Sequence, residues 1–372
     1  MKKFFFLMAL VCMVMSAHAE ATIGYLMTMN KKEAFPAEKF EGVDEKPEYN
    51  AAAWFETNYI NTGIGEFVSL PKVAMGGAEV LKSYKAIWVN VDRVDLVDLE
   101  AAGITEDVVA GLKAYVENGG NLFVTKQANH IIYQMGRMGY APGWANGGYH
   151  VGGDVWQINP NLCLWPPMGG AIDRSNHPIY NGLTTETRTF DFTYEGDTAA
   201  TQVPFKVFPL VGAVSRTDNN NMWTDMFRED PVTGGQMDEL EGTTHYQNDN
   251  ALRLTDFEAD WNCQVLSVWG HVLDACAPGL IVFNPDGDFK GQIISCGFAA
   301  YQWGTSNNFI SNVQQLTANA LDILTGKLNT GVENVMTNKV VKGVYNIFGQ
   351  KIERENMVRG NIYIVDGKKI IY

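Results

Sequence analysis

The sequence predicts an α/β fold: a largely parallel open sheet with helices on both faces. Three observations carry that reading. Apolar runs such as "KAIWVNVD" and "NLFVT" are continuous rather than alternating, as in strands covered on both faces. Segments with helical spacing separate those runs, which implies βαβ units. Helix ends are marked in the chain: Thr105 precedes Glu106 and Asp107, and Gly119-Gly120 closes the same segment.

Taken in order, the chain opens "MKKFFFLMALVCMVMSAHAEAT". Two lysines, an apolar run and Ala17-His18-Ala19 make a secretory leader spanning 1–19, with an A-x-A cleavage site. The run is too short to span a bilayer, and no later stretch is long and apolar enough to do so. The mature chain is therefore expected to be exported, to the cell surface, the medium or the periplasm, and not membrane-spanning. "ATIGYLMT" has β character, and "EYNAAAWFETNYIN" has helical spacing at Ala52, Phe55, Tyr59 and Ile60. "EFVSL" is a strand, "PKVAMGGAEVLKSY" a helix opening on Pro71, "KAIWVNVD" a strand, "TEDVVAGLKAYVENGG" a helix and "NLFVT" a strand.

From about 140 to 262 the composition changes. Gly, Asn, Asp, Pro and Trp crowd together, and "VFPLVGAVSR" is the clearest strand of a loop-rich insertion. Regular structure returns in the strands "CQVLSVWG", "GLIVFN" and "GQIISCGF" and in the amphipathic helix "NNFISNVQQLTANALDILTG". These belong to one α/β domain over 20–326. After Gly326, residues 327–372 form a small β unit, too short to be stable as an isolated hairpin.

A net charge of −14 with no basic block argues against a nucleic-acid partner. Beyond the leader, Cys163, Cys263, Cys276 and Cys296 allow three disulfide pairings, with Cys263 and Cys276 nearest in sequence; buried free thiols are the other reading. No Cys-x-x-Cys or His-x-x-x-His spacing supports a zinc site, and "NPDGDFKG" lacks the later oxygen ligands of a calcium loop and reads as a turn. No metal and no cofactor is expected; the oligomeric state is open.

The body of the chain resembles class I glutamine amidotransferase-like domains, within them most closely the DUF4960 type of exported proteins from gut Bacteroides-like bacteria, often near polysaccharide-use systems. The words that carry this are "KAYVENGGNLFVT", "DRSNHPIYNGL", "NCQVLSVWGHVLD" and "GQIISCGFAAYQW". The resemblance implies a flavodoxin-like sheet. The tail words "VYNIFGQKI" and "GNIYIVDGKKIIY" resemble a type IX secretion sorting domain.

The same resemblance places a nucleophile just after "NLFVT", in a strand-to-helix turn. Here the turn reads Thr125-Lys126-Gln127-Ala128-Asn129, with no Cys or Ser at 126–128. Covalent acyl transfer then has no attacker, and no catalytic residue is assigned. His130 reads either as a base or as a satisfied polar residue at a helix start. Asp154, Asp173, Asp191, Glu195 and Asp274 are the carboxylates available to a glycosidase, or are solvated loop residues.

Tryptophans crowd the loop-rich regions beside Asp, Asn and His, the pairing that sugars require. The leading expectation is an exported glycan-binding or glycan-handling protein without covalent catalysis. A hydrolase of the amidotransferase-like class and a structural or partner-binding surface protein are the alternatives. In open α/β sheets ligands lie outside the carboxyl ends of the strands. One shared cleft is therefore expected to hold Asp92, Arg93, Trp156, Asp173, Arg174, Trp269, His271 and Trp303, with an Asp173–Arg174 ion pair as the other reading for those two.

Overall fold

The computed structural model describes residues 22–40, 43–93, 96, 98–139, 141–142, 156–162, 172–192, 201–211, 254, 257–269 and 278–328, and four C-terminal strands. The chain divides into two compact units, Met1–Leu328 and Asn329–Tyr372.

In chain order the first unit contains β1 (Ile23–Met27), β2 (Glu38–Phe40), β3 (Val43–Glu45), α1 (Pro47–Phe55), β4 (Gly65–Ser69), α2 (Leu70–Gly76), β5 (Ala86–Val91), α3 (Glu106–Glu117), β6 (Asn121–Lys126) and α4 (His130–Gln134). Then come β7 (Trp156–Asn159), β8 (Asn161–Leu162), β9 (Ile172–Asp173), β10 (Glu186–Phe192), β11 (Thr201–Val211), β12 (Cys263–Trp269), β13 (Pro278–Phe283), β14 (Ile293–Cys296) and α5 (Ile310–Leu324).

One ten-stranded sheet organises the unit, in the order β10-β11-β7-β12-β13-β14-β6-β5-β1-β4. From β14 to β4 every pairing is parallel. Counted along the chain, these five strands lie in the order 2-1-3-4-5, which is the flavodoxin-like arrangement. Helices cover both faces. Phe55 of α1 and Leu316, Ala320 and Leu321 of α5 pack on one side with Tyr25, Trp88 and Phe123. Val73 of α2, Leu112 and Val116 of α3 and Ile131 of α4 pack on the other, with Val89 and Val124. The strand faces are thus apolar on both sides, which is why β1, β5 and β13 read as unbroken apolar runs.

The expected strands "CQVLSVWG" and "GLIVFN" are present, and they belong to the other half of the sheet, which runs antiparallel. Only residues 270–277 join β12 to β13. A parallel return needs a crossover of a dozen or more residues, so the chain can only reverse. β13 reverses into β14 through the turn of "NPDGDFKG", where Asp286 bridges Phe289. The stretch expected to be loop-rich supplies β7, β10 and β11 to the same sheet. Pro204 and Pro209 within β11 and the polar face of β10 hid those strands behind a loop-like composition.

The second unit is a four-stranded antiparallel sheet, β16-β15-β17-β18, from β15 (Val344–Asn346), β16 (Lys351–Ile352), β17 (Ile362–Val365) and β18 (Lys368–Ile371). It is larger than the isolated hairpin that would be unstable alone.

Candidate functional site

The parallel strands end at Met27, Ser69, Val91, Lys126 and Cys296, and their carboxyl edge carries a buried polar network. It starts at β6. Lys126 has φ 59 and ψ −130, and it is followed by a single 3-10 turn, Gln127–Asn129, that feeds α4. Lys126 and Asn262 are the non-glycine residues with positive φ among the described residues. Such a backbone conformation in a side-chain-bearing residue costs on the order of 1–3 kcal/mol and is held only where its surroundings over-determine it. A sharp strand-to-helix turn of this kind is where α/β hydrolases present their nucleophile.

Here the turn presents an amine that is already committed. Lys126 Nζ lies 3.6 Å from Asp92 Oδ1 and donates to the Ala299 carbonyl at 2.8 Å. The nearest hydroxyl, Thr125 Oγ1, is buried beneath the strand, donating to Asn90 Oδ1 at 2.7 Å and accepting from the Trp88 indole. Neither group is poised to attack a carbonyl carbon. His130, at the start of α4, is buried.

From Asp92 the network crosses to β1 and α1. The Asp92 backbone N–H donates to Glu48 Oε1 at 2.8 Å, and the Arg93 guanidinium clasps both Glu48 oxygens. Arg93 also donates to Thr28 Oγ1 at 2.8 Å, while Gln127 Nε2 donates to the Arg93 carbonyl. Glu48 stands in the first turn of α1, behind Pro47, and that position aims it at the β5 end. Burial pushes the Glu48 carboxyl above the usual range, and the neighbouring Arg93 opposes that push. The order 2-1-3-4-5 puts the topological switch between β1 and β5, so the Glu48–Arg93 pair bridges the crevice where such folds bind ligands.

Beside this bridge lies a cleft of about 510 Å³ between the ends of β1 and β4 and the starts of α2 and α3. Thr28, Asn30, Ser69 and Thr105 line it together with Met27, Leu70 and Val108. Thr28 is shared with the Arg93 network.

Asp92, Arg93 and Trp303 therefore gather at one edge. Trp303 enters through its carbonyl, which accepts from Asn50 Nδ2 at 2.7 Å. Its ring is 1% exposed, packed 5.1 Å from Trp54 and 5.7 Å from Trp88, centroid to centroid, and belongs to the core. This corrects the expectation that Trp303 offers a face to a ligand.

Arg174 belongs to a different neighbourhood. It pairs with Glu258 at 3.0 Å rather than with Asp173, whose carboxylate accepts from the Ser175 backbone N–H. Glu258 also accepts from the Val265 N–H, so Arg174 ties the β9 end to β12. That corrects the Asp173–Arg174 pair: Asp173 points to solvent on β9. Trp156 starts β7 and Trp269 ends β12; their side chains, and all of His271, lie outside the described residues. So do Asp154, Glu195, Asp274, Cys163 and Cys276, and of Asp191 only the backbone is described. Cys263 and Cys296 are buried free thiols, which removes a Cys263–Cys276 disulfide. Burial pushes the Cys296 thiol up to about 12 and raises Cys263 as well.

Sequence reasoning missed Glu48, Thr28, Ser69 and Thr105. Each is a helix-start or strand-end residue whose role depends on which strands are neighbours. Among the described residues no group of three or more His, Cys, Asp and Glu side chains could hold a metal ion, and no helix is long and apolar enough to cross a membrane.

No protein-family model and no curated protein matches the chain. Solved structures similar to it include a protein described as ThuA-like from Bacteroides uniformis, at 12% identity and a TM-score of 0.37, covering 84% of this chain and 95% of that one. A second ThuA-like protein, from Parabacteroides merdae, aligns at 12% identity and TM-score 0.37, over 84% and 93% of the two chains. A cytoplasmic protein from Salmonella typhimurium aligns at 13% identity and TM-score 0.37, over 81% and 98%. The fold assignment rests on the strand order and pairings, independently of these likenesses.

Proposed function

We propose that this chain is an exported, non-covalent glycan-binding protein built on an amidotransferase-like scaffold. The observation that carries the non-covalent part is Lys126 at the strand-to-helix turn. Its Nζ is buried and turned to Asp92 and the Ala299 carbonyl rather than presented to a substrate carbon. The described thiols are buried with raised pKa values, so they do not replace it. The glycan part is supported by the hydroxyl-lined cleft between β1 and β4 at the carboxyl edge, beside the β1–β5 switch point where this fold class takes its ligands, and by the tryptophan-rich insertion. Export is supported by the leader-like opening, and surface display by the sorting-like wording of the tail. The DUF4960-type relationship and a place in a polysaccharide-use system rest on the sequence words quoted above.

The test is a glycan array on the mature protein, followed by product analysis on every hit. Binding without release of sugars is the expected result. Sugar release from a hit would replace this reading with a hydrolase, and an array without hits would remove the glycan.

A further inference from the structure

The cleft between the ends of β1 and β4 has a chemistry that narrows its ligand, and this deepens the glycan-binding reading on which it rests. Its polar lining is Thr28, Asn30, Ser69 and Thr105, and none of the residues lining it carries an ionisable side chain. Its apolar wall, from Met27, Leu70 and Val108, contains no aromatic ring. A cleft of about 510 Å³ falls within the range of about 300–1,000 Å³ usual for small-ligand sites.

Two of those hydroxyls stand at helix starts without capping them. Ser69 precedes α2 and Thr105 precedes α3, yet neither side chain makes a capping hydrogen bond to its helix. Cap-position hydroxyls ordinarily satisfy a first-turn N–H. Here both residues line the cleft instead. Thr28, by contrast, is held by Glu48 and Arg93, which fixes the inner wall.

We infer that the cleft binds a neutral sugar bearing a methyl group, either a 6-deoxyhexose or an N-acetylhexosamine. The hydroxyls of such a sugar match Ser69, Thr105 and Asn30. Its methyl group buries against Met27, Leu70 and Val108, removing apolar surface from water. A plain hexose would leave that wall facing hydroxyls, since the lining has no ring to stack on a C–H face. A uronate or sialic acid would place a carboxylate where no lining cation meets it, and an unpaired buried charge is costly.

The experiment is saturation-transfer NMR and titration of the mature protein with L-fucose, N-acetylglucosamine, glucose and glucuronate. Ala74→Trp and the double variant Ser69→Ala/Thr105→Val are titrated alongside. Ala74 lines the cleft, so the indole fills it. The double variant removes hydroxyls that cap nothing, so its melting temperature should stay within a few degrees of the parent. Expected are strongest saturation at the sugar methyl, and at least tenfold weaker binding in both variants. Glucose or glucuronate binding as well as the methyl-bearing sugars overturns the ligand class. Array hits that bind Ala74→Trp at full strength place the glycan elsewhere: the cleft inference then fails while glycan binding stands. An array without hits removes both.

Discussion

Lys126 and Asp92 face each other at the carboxyl edge of the sheet, Nζ to Oδ1 at 3.6 Å, each side chain 1% exposed. A pair so buried is expensive to break from one side, because the surviving charge is left in a low-dielectric setting. We expect Asp92→Asn and Lys126→Met each to cost about 3–5 kcal/mol. The double variant should cost less than the sum, since no charge is then stranded. Urea unfolding of the four proteins measures this. Additive costs would mean that the two groups do not stabilise one another.

Trp303 separates ligand binding from packing. Its indole sits among Trp54, Trp88 and Tyr301, and truncating a large buried ring costs about 3–5 kcal/mol. Trp303→Ala should therefore lower the melting temperature sharply. A variant with unchanged stability and lost ligand binding would return this ring to the site.

The contrast between Trp303 and Lys126 shows what could be read in the chain and what could not. Continuous apolar runs announced β5 and β6, and the spacing of Val313, Leu316, Ala320 and Ile323 announced α5, because burial on one or both faces leaves a direct mark on composition. The absence of a nucleophile was equally visible. The strained backbone of Lys126 was not, since φ 59 is imposed by the turn and no residue type there advertises it. Nor was Glu48, which lies 45 positions from Arg93 and meets it only because β1 and β5 are neighbours. Arg174 likewise pairs with Glu258, 84 positions on, rather than with adjacent Asp173, a partner that only the folded chain brings near.

The two described thiols give a chemical check on the fold. Cys263 and Cys296 are 6% and 0% exposed, and the thiolate is the reactive form. With both pKa values raised by burial, alkylation at pH 8 should leave the two residues unlabelled in the native protein and label both in urea. Peptide mapping by mass spectrometry reads the result. Native labelling of Cys296 would show that β14 is more open than the sheet pairing requires.

His177 makes acid stability testable at a single residue. Its Nδ1 accepts from the Ile179 N–H at 3.2 Å, which starts the short 3-10 turn Pro178–Tyr180. Burial first, and the Arg174 guanidinium second, lower its pKa from 6.5 to about 4. The unfolded chain therefore takes up a proton near pH 6.5 that the folded chain refuses until about pH 4. Stability from this group is fully present above 6.5 and is lost as pH falls through that window, by at most about 3 kcal/mol. Glu258, which pairs with Arg174, acts in the opposite sense. Burial raises its pKa against the pull of Arg174, so the folded state gains relative to the unfolded one as Glu258 protonates. The comparison must therefore isolate the imidazole. His177→Asn keeps an acceptor for the Ile179 N–H and removes the titration. Between pH 6.5 and 4 the parent should lose more stability in urea than His177→Asn does, with the two curves converging on a constant difference above pH 7. Parallel curves across the window would mean that His177 takes up its proton in the folded protein as readily as in the unfolded chain, and that the Arg174 neighbourhood is wetter than its burial implies.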